Sequence, residues 1–201
     1  MRRETIAPWA EPEPNAHDMM SASDLLALSD KNWRYELVQG RLVHMPPVGG
    51  GHGRMSVKLA SALDAFVEQH ALGCVMGSET GFLLSRPDEP DTVLAPAVAF
   101  VRADHMPDRQ SAEWNEFWRV APDLVAEIVS PSQFRPEMAE KARAWLAAGV
   151  LLVWVIWPSR QEVDVWLPGA DAPTKTLSKT DALDGLTVLP GFTLPVARLF
   201  A

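Results

Sequence analysis

Leu124-Val125-Ala126-Glu127-Ile128-Val129 is apolar except for one glutamate, and Pro131 stops it. A run without polar alternation reads as a strand covered on both faces, in the middle of a sheet. Behind it, Glu137 to Ala148 reads as a helix, with Met138, Trp145 and Leu146 as core contacts. Residues 151–157 and 162–167 read as further strands, with Ser159-Arg160 near their turn. That order predicts an α/β domain, a mixed β-sheet flanked by helices.

Upstream, Ser21 and Asp24 form a capping-box-like pair before Leu25, Leu26 and Leu28, which predicts a short helix. Arg34 to Val38 and Arg41 to Met45 are β-prone runs around Gln39-Gly40, a hairpin ended by Pro46-Pro47. Gly49-Gly50-Gly51 leads into a helix expected from His52 to Ala71, with Met55, Leu59, Leu63, Phe66 and Val67 as its apolar stripe and Gly73 as its C-cap. Cys74 to Leu84 reads as one or two strands, and Val98 to Val101 as a short buried one. Residues 103–120 are irregular, and their Trp114, Phe117 and Trp118 could cover the core or meet a partner.

The chain has 201 residues, 47% of them hydrophobic and 22% charged, which suits one folded domain. Residues 1–18, with three prolines among scattered charges, read as a flexible arm, leaving 19–201 as a single domain. A net charge of −8 disfavours loose whole-surface binding to nucleic acid, though not a local basic groove. The single cysteine, Cys74, excludes an intrachain disulfide and fits a reducing, cytoplasmic setting. No apolar run reaches the length of a membrane span.

Glu127 is the chemical anomaly. A carboxylate inside an apolar strand is costly to desolvate without a partner, which could be a metal, a lysine or backbone N–H groups. The competing reading puts it on the solvated face of an edge strand. Lys141 lies four residues after Glu137, so the spacing alone suggests an exposed helical ion pair. Glu36, also a strand carboxylate, reads without context as solvent-facing. His52 stands where helix N–H groups are free, a place that suits phosphate, but a lone histidine there is more often a cap or a surface residue. The glycines are not followed by the Lys-Ser/Thr of a nucleotide-binding loop. Cys74 has no histidine neighbour in sequence and reads as a core residue.

A resemblance sharpens these readings. Tyr35-Glu36-Leu37-Val38-Gln39-Gly40-Arg41-Leu42-Val43 resembles the "YELVDGxLV" opening of the Uma-two family, usually labelled restriction endonucleases. Pro46-Pro47 with His52, Glu79-Thr80-Gly81-Phe82, Ala121 to Ser132, Lys141 to Val155 and Leu189-Pro190-Gly191-Phe192 follow in that family's order, over roughly residues 20–200. Each block is weak alone; the ordered series is specific.

The resemblance implies a PD-(D/E)XK, restriction-endonuclease-like core acting on DNA. In such cores an Asp and a Glu on adjacent strands hold Mg²⁺ or Mn²⁺, which lowers the pKa of a water and stabilises charge at phosphorus. It assigns Glu127 to the (D/E) position as a metal ligand and Glu36 as an added acidic ligand. It gives Lys141, displaced to the following helix, the lysine role, and makes His52 a site neighbour. The family's "RAPDVAFV" stands here as Leu94 to Val101, with Ala97 in place of the first aspartate and Leu94 in place of the common arginine. Loss of one carboxylate weakens a hard-cation site; Glu36 or Glu79 could compensate, and Asp123 is expected outside the metal pair.

Two functions follow: a metal-dependent DNA endonuclease, active or disabled, or a catalytically dead nuclease-fold module that binds nucleic acid or a protein. DNA binding would need Arg54, Lys58, Arg102, Arg135, Lys141 and Arg143 to converge on one face. A homodimer would suit two-strand cleavage. A nucleotide-binding enzyme of another class rests on the three glycines alone.

Overall fold

The computed structural model describes residues 19–28, 34–131 and 133–201. The arm expected at residues 1–18 lies outside the described residues. Helix α1 (Ala22–Leu28) starts with the reciprocal bonds of a capping box: the Ser21 N–H donates to Asp24 Oδ2 at 2.8 Å and the Asp24 N–H to Ser21 Oγ at 3.2 Å. Strands β1 (Arg34–Val38) and β2 (Arg41–Met45) form the expected hairpin. Gln39 and Gly40 have φ of 51° and 73°, the conformation of a type I′ turn, which matches the twist of the strands.

Helix α2 (Gly50–Gln69) begins two residues before the expected start, and His70 rather than Gly73 caps it. Gly73 instead opens β3 (Gly73–Gly77) at φ 150°, where an added Cβ would lie 2.1 Å from the Val101 carbonyl oxygen. The stretch read as one or two strands is two, in different sheets. β4 (Phe82–Leu83) pairs with β5 (Val93–Leu94), which also meets β1, giving a four-stranded sheet in the order β2-β1-β5-β4.

The larger sheet holds the opening sequence. β6 (Val98–Arg102), β7 (Leu124–Ile128), helix α3 (Arg135–Ala147), β8 (Leu152–Trp157), β9 (Glu162–Trp166) and β10 (Lys175–Leu177) follow along the chain. With β3 they form a six-stranded sheet, β10-β9-β8-β7-β6-β3. β7 and β8 are parallel and joined through α3; every other pairing in this sheet is antiparallel. The sheet is therefore mixed and β7 is interior, as its composition predicts. β11 (Ala182–Asp184) and β12 (Thr193–Pro195) form a separate pair before α4 (Val196–Phe200). Among the described residues no helix is long and apolar enough to cross a membrane.

Alternation along β7 sorts its side chains. Leu124, Ala126 and Ile128 join the core that Leu59, Leu63 and Val67 of α2 close from one side. Val125 and Val129 join the opposite core with Ala142 and Trp145 of α3. Burial of each large apolar chain contributes about 1.5–3 kcal/mol. Both faces are covered, which is why the strand reads as continuously apolar. Glu127 belongs to the α3 face and is largely withdrawn from bulk water.

The aromatic trio is not an outward surface. Trp118 is buried, with Trp114 against it at 5.1 Å between ring centroids, and Phe117 packs on the core around α1 and β1. Of the two roles the sequence left open for them, these residues take the inward one.

Candidate functional site

Interior position and alternation together aim Glu127 at α3. Lys141 and Trp145 are four residues apart and share the helix face that meets the sheet. The Trp145 indole N–H donates to Glu127 Oε1 at 2.8 Å, and the Lys141 ammonium sits 3.1 Å from the same oxygen. Lys141 also donates to Glu36 Oε1 at 3.1 Å. The β1–β2 hairpin brings Glu36 there, and the Ala95 backbone N–H donates to the same Glu36 oxygen at 3.0 Å. Glu36, Lys141 and Glu127 are 1%, 2% and 6% exposed, so the cluster is largely shielded from solvent.

This corrects two simple readings. Glu36 is buried rather than solvent-facing. Lys141 does not form a surface pair with Glu137, whose carboxylate instead accepts the Phe134 N–H at 2.9 Å and caps α3. Spacing alone does not reveal which way a helix face turns.

Two carboxylates and one ammonium leave a formal charge of −1 in a desolvated place. Burial, reinforced by the nearby Glu36 charge, pushes the Glu127 carboxyl above its ordinary pKa against the pull of Lys141. Burial also pulls down on Lys141, but Glu127 and Glu36 outweigh it and hold the ammonium protonated above the usual lysine range. Glu36 Oε2 is buried without a hydrogen-bond partner, a further sign that the negative side of the cluster is under-compensated.

Glu127 and Lys141 of the cluster face a cleft. This cleft of about 520 Å³ is lined by Glu127, Lys141, Ala97, Ala95 and His52, with Arg34 at its edge. Glu36 does not line it; it lies behind Lys141. The antiparallel register Val98↔Ala126, carried one residue further, sets Ala97 beside Glu127. His52, in the first turn of α2, is half-buried, and its Nδ1 has no hydrogen-bond partner. Burial lowers its pKa, as do Arg34 and Lys141, against an opposing hydrogen bond to the Ile128 backbone, so the ring is neutral at pH 7.

The other candidates lie elsewhere. Glu79 is exposed and 3.7 Å from Arg34, outside the cleft lining. Asp123 accepts the Arg102 N–H at 2.8 Å and faces His105 at 3.1 Å, a structural role at the start of β7. Burial pushes the Cys74 thiol up to about 11, so it is inert at neutral pH. The basic residues do not converge: Arg54 and Lys58 line a patch with Arg198, Arg102 pairs with Asp104, and Arg143 bonds the Asp171 carbonyl.

Sequence reasoning missed Trp145 as a donor, although its spacing from Lys141 marks a shared face. It also missed Asp164, buried in β9, which accepts the Trp157 indole N–H at 2.8 Å and the Thr176 hydroxyl at 2.5 Å.

With this geometry in view, known families supply a comparison. The Uma2 family model, described as "Putative restriction endonuclease", matches residues 22–197. The chain belongs to the Uma2 family. No curated protein gives a significant match. The Uma2 chain is also similar to a crystal structure described as a putative nuclease belonging to DUF820 from Anabaena variabilis. That match has a TM-score of 0.72 at 19% identity and covers 90% of this chain and 97% of that one. At that identity it establishes the shared fold.

A nuclease family suggests a divalent cation, so the donor set matters. Mg²⁺ and Mn²⁺ favour charged oxygen ligands. The cleft of the Uma2 chain presents one carboxylate, Glu127, with a methyl group from Ala97 beside it and an ammonium already bound to its oxygen. Among the described residues no group of three His, Cys, Asp or Glu side chains is placed to hold a metal. As a two-carboxylate cation site these residues do not fit.

Proposed function

We propose that residues 19–201 form one DNA-directed domain of nuclease lineage whose hydrolytic centre is a carboxylate short at Ala97. The observation that carries this is the meeting of Glu127, Lys141 and Ala97 in one cleft, with Glu36 fixed behind the lysine. In this reading Glu127 and Lys141 are the catalytic remnant. Lys141, held protonated between Glu36 and Glu127, offsets part of their charge at the cleft and is a poor acceptor for a proton from water. Glu36 holds Lys141 in place, and His52 offers a neutral ring at the cleft wall. Mg²⁺ or Mn²⁺, which the family's chemistry suggests, would bind weakly through Glu127. What remains is DNA binding with cleavage latent.

The test is relaxation of supercoiled plasmid in Mg²⁺ and in Mn²⁺ by the unchanged chain, Ala97→Asp, and Ala97→Asp combined with Glu127→Gln. The expected outcome is cutting by Ala97→Asp alone, at least about 100-fold faster than the unchanged chain, or roughly 2.7 kcal/mol of barrier. Equal cutting by the unchanged chain and Ala97→Asp would show that another group replaces the aspartate. No cutting by any of the three would defeat the latent-nuclease reading.

A further inference from the structure

A second groove, about 530 Å³, adjoins the Glu127 cleft and shares His52, Gly49, Ser130 and Gln133 with it. We propose that this groove seats unpaired DNA, one base stacking on Phe134 and a phosphate meeting Arg160. The inference rests on the reading that the chain acts on DNA, and it names the form of DNA.

Charge is the first argument. The chain carries 26 acidic against 18 basic residues, yet no Asp or Glu lines this groove, while Arg135, Arg160 and His52 do. Arg135 is occupied: it salt-bridges Glu162 at 3.2 Å and lies over the Trp157 ring at 5.1 Å. Arg160 is exposed and has no carboxylate partner among the described residues. An uncompensated arginine in a carboxylate-free groove of an acidic protein complements an anion.

Phe134 is the second argument. At 66% exposure it is the most exposed large apolar side chain among the described residues, and no other aromatic side chain is as open. It lies at the N-cap of α3 on the groove rim, where its ring does nothing for the core. An aromatic face beside a cationic groove suits a base, and a base is available for stacking only where the strand is unpaired. An intact duplex hides its base faces and would leave Phe134 unused.

The glycines are the third argument. Gly49, Gly50 and Gly51 have ordinary negative φ, and a Cβ at each would meet nothing within 4 Å. Neither strain nor packing requires glycine there; Gly49 is the N-cap, where glycine is common, while Gly50 and Gly51 lie in the first turn, where glycine is a poorer helix former than alanine. At Gly49 and Gly51, which line the groove, bare backbone leaves the wall open to close approach by a sugar-phosphate chain.

The test is fluorescence anisotropy in EDTA with a labelled oligonucleotide of about 16 nucleotides, as a single strand and as a blunt duplex of the same sequence. The proteins are the unchanged chain, Phe134→Ala, Phe134→Trp, Arg160→Ala and Arg198→Ala, the last in the separate patch with Arg54 and Lys58. Expected are tighter binding of the single strand than of the duplex and a roughly 5- to 100-fold loss in Phe134→Ala. Phe134→Trp should keep the affinity, Arg160→Ala should flatten the salt dependence by about one ion, and Arg198→Ala should change neither. Equal or tighter duplex binding, untouched by Phe134→Ala, would overturn the unpaired-strand seat and leave the DNA reading standing. Loss in Arg198→Ala with none in Phe134→Ala would move the site to the other patch and also overturn it. Binding of neither DNA form would defeat both this inference and the DNA reading beneath it.

Discussion

Lys141 is the residue on which the buried cluster turns. Among the described residues it is the only cation touching two carboxylates that the fold removes from water. Lys141→Met should cost about 3–5 kcal/mol, because it leaves two buried like charges unpaired. For a chain of this size that lowers Tm by roughly 6–20 °C. The sign of the pH effect follows from Glu127. Its folded pKa is raised by burial, so the folded state holds the proton more tightly than the unfolded one, and stability rises as pH falls towards the carboxylate range. The Lys141→Met deficit should therefore shrink between pH 7 and pH 5, as read by thermal melts. A deficit that grows with acid would contradict the cluster. His52 runs the other way. Its folded pKa is depressed, so the unfolded state binds more protons below the ordinary histidine range, and stability falls as pH drops through it. His52→Gln should lose less stability than the parent between pH 7 and pH 5. Glu127 was legible as anomalous because a charge in an apolar strand must have a reason. Glu36 was placed at the site by the family resemblance alone, since nothing in Tyr35-Glu36-Leu37 says which face of the hairpin is covered.

Helices and strands were more readable than single side chains. The β1–β2 hairpin, β7, α3 and the α2 stripe follow from turn chemistry and periodicity, which are local. β4, β5 and the pair β11–β12 are two or three residues long and exist through tertiary pairing, so their sequences carry little signal. The end of α2 misled for a related reason: Gly73 looks like a helix cap, but its job is to let β3 approach β6. Gly73→Ala should therefore destabilise by roughly 1–3 kcal/mol through backbone strain, before any clash with the Val101 carbonyl is added. Gly51→Ala, at the other end of the same helix, should leave stability unchanged or raise it, since no contact or φ forbids it. Denaturant melts of the two variants side by side check both; comparable losses at the two ends would contradict the assignment of Gly51 to ligand access.

Across the molecule, the −8 charge and the six-stranded mixed sheet pull the functional reading in different directions, and the arrangement of charges reconciles them. No Asp or Glu lines the groove beside the Glu127 cleft, and the basic side chains that DNA binding would need on one face are distributed among separate pairs and patches. That distribution was invisible in the sequence, because it depends on which loops the sheet brings together. The family model spans residues 22–197, and in the proposed reading Ala97 is where this chain departs from the family's motif. The proposed function depends on that reading, in which the Ala97 methyl stands where a carboxylate would complete a cation site. The measurement that bears on it most directly is a Mn²⁺ titration, followed by electron paramagnetic resonance, of the unchanged chain and of Ala97→Asp. The account predicts binding at least about tenfold tighter in Ala97→Asp, with affinity following the count of charged ligands. Equal, tight Mn²⁺ binding by both would show that the site is complete without the aspartate and would contradict it.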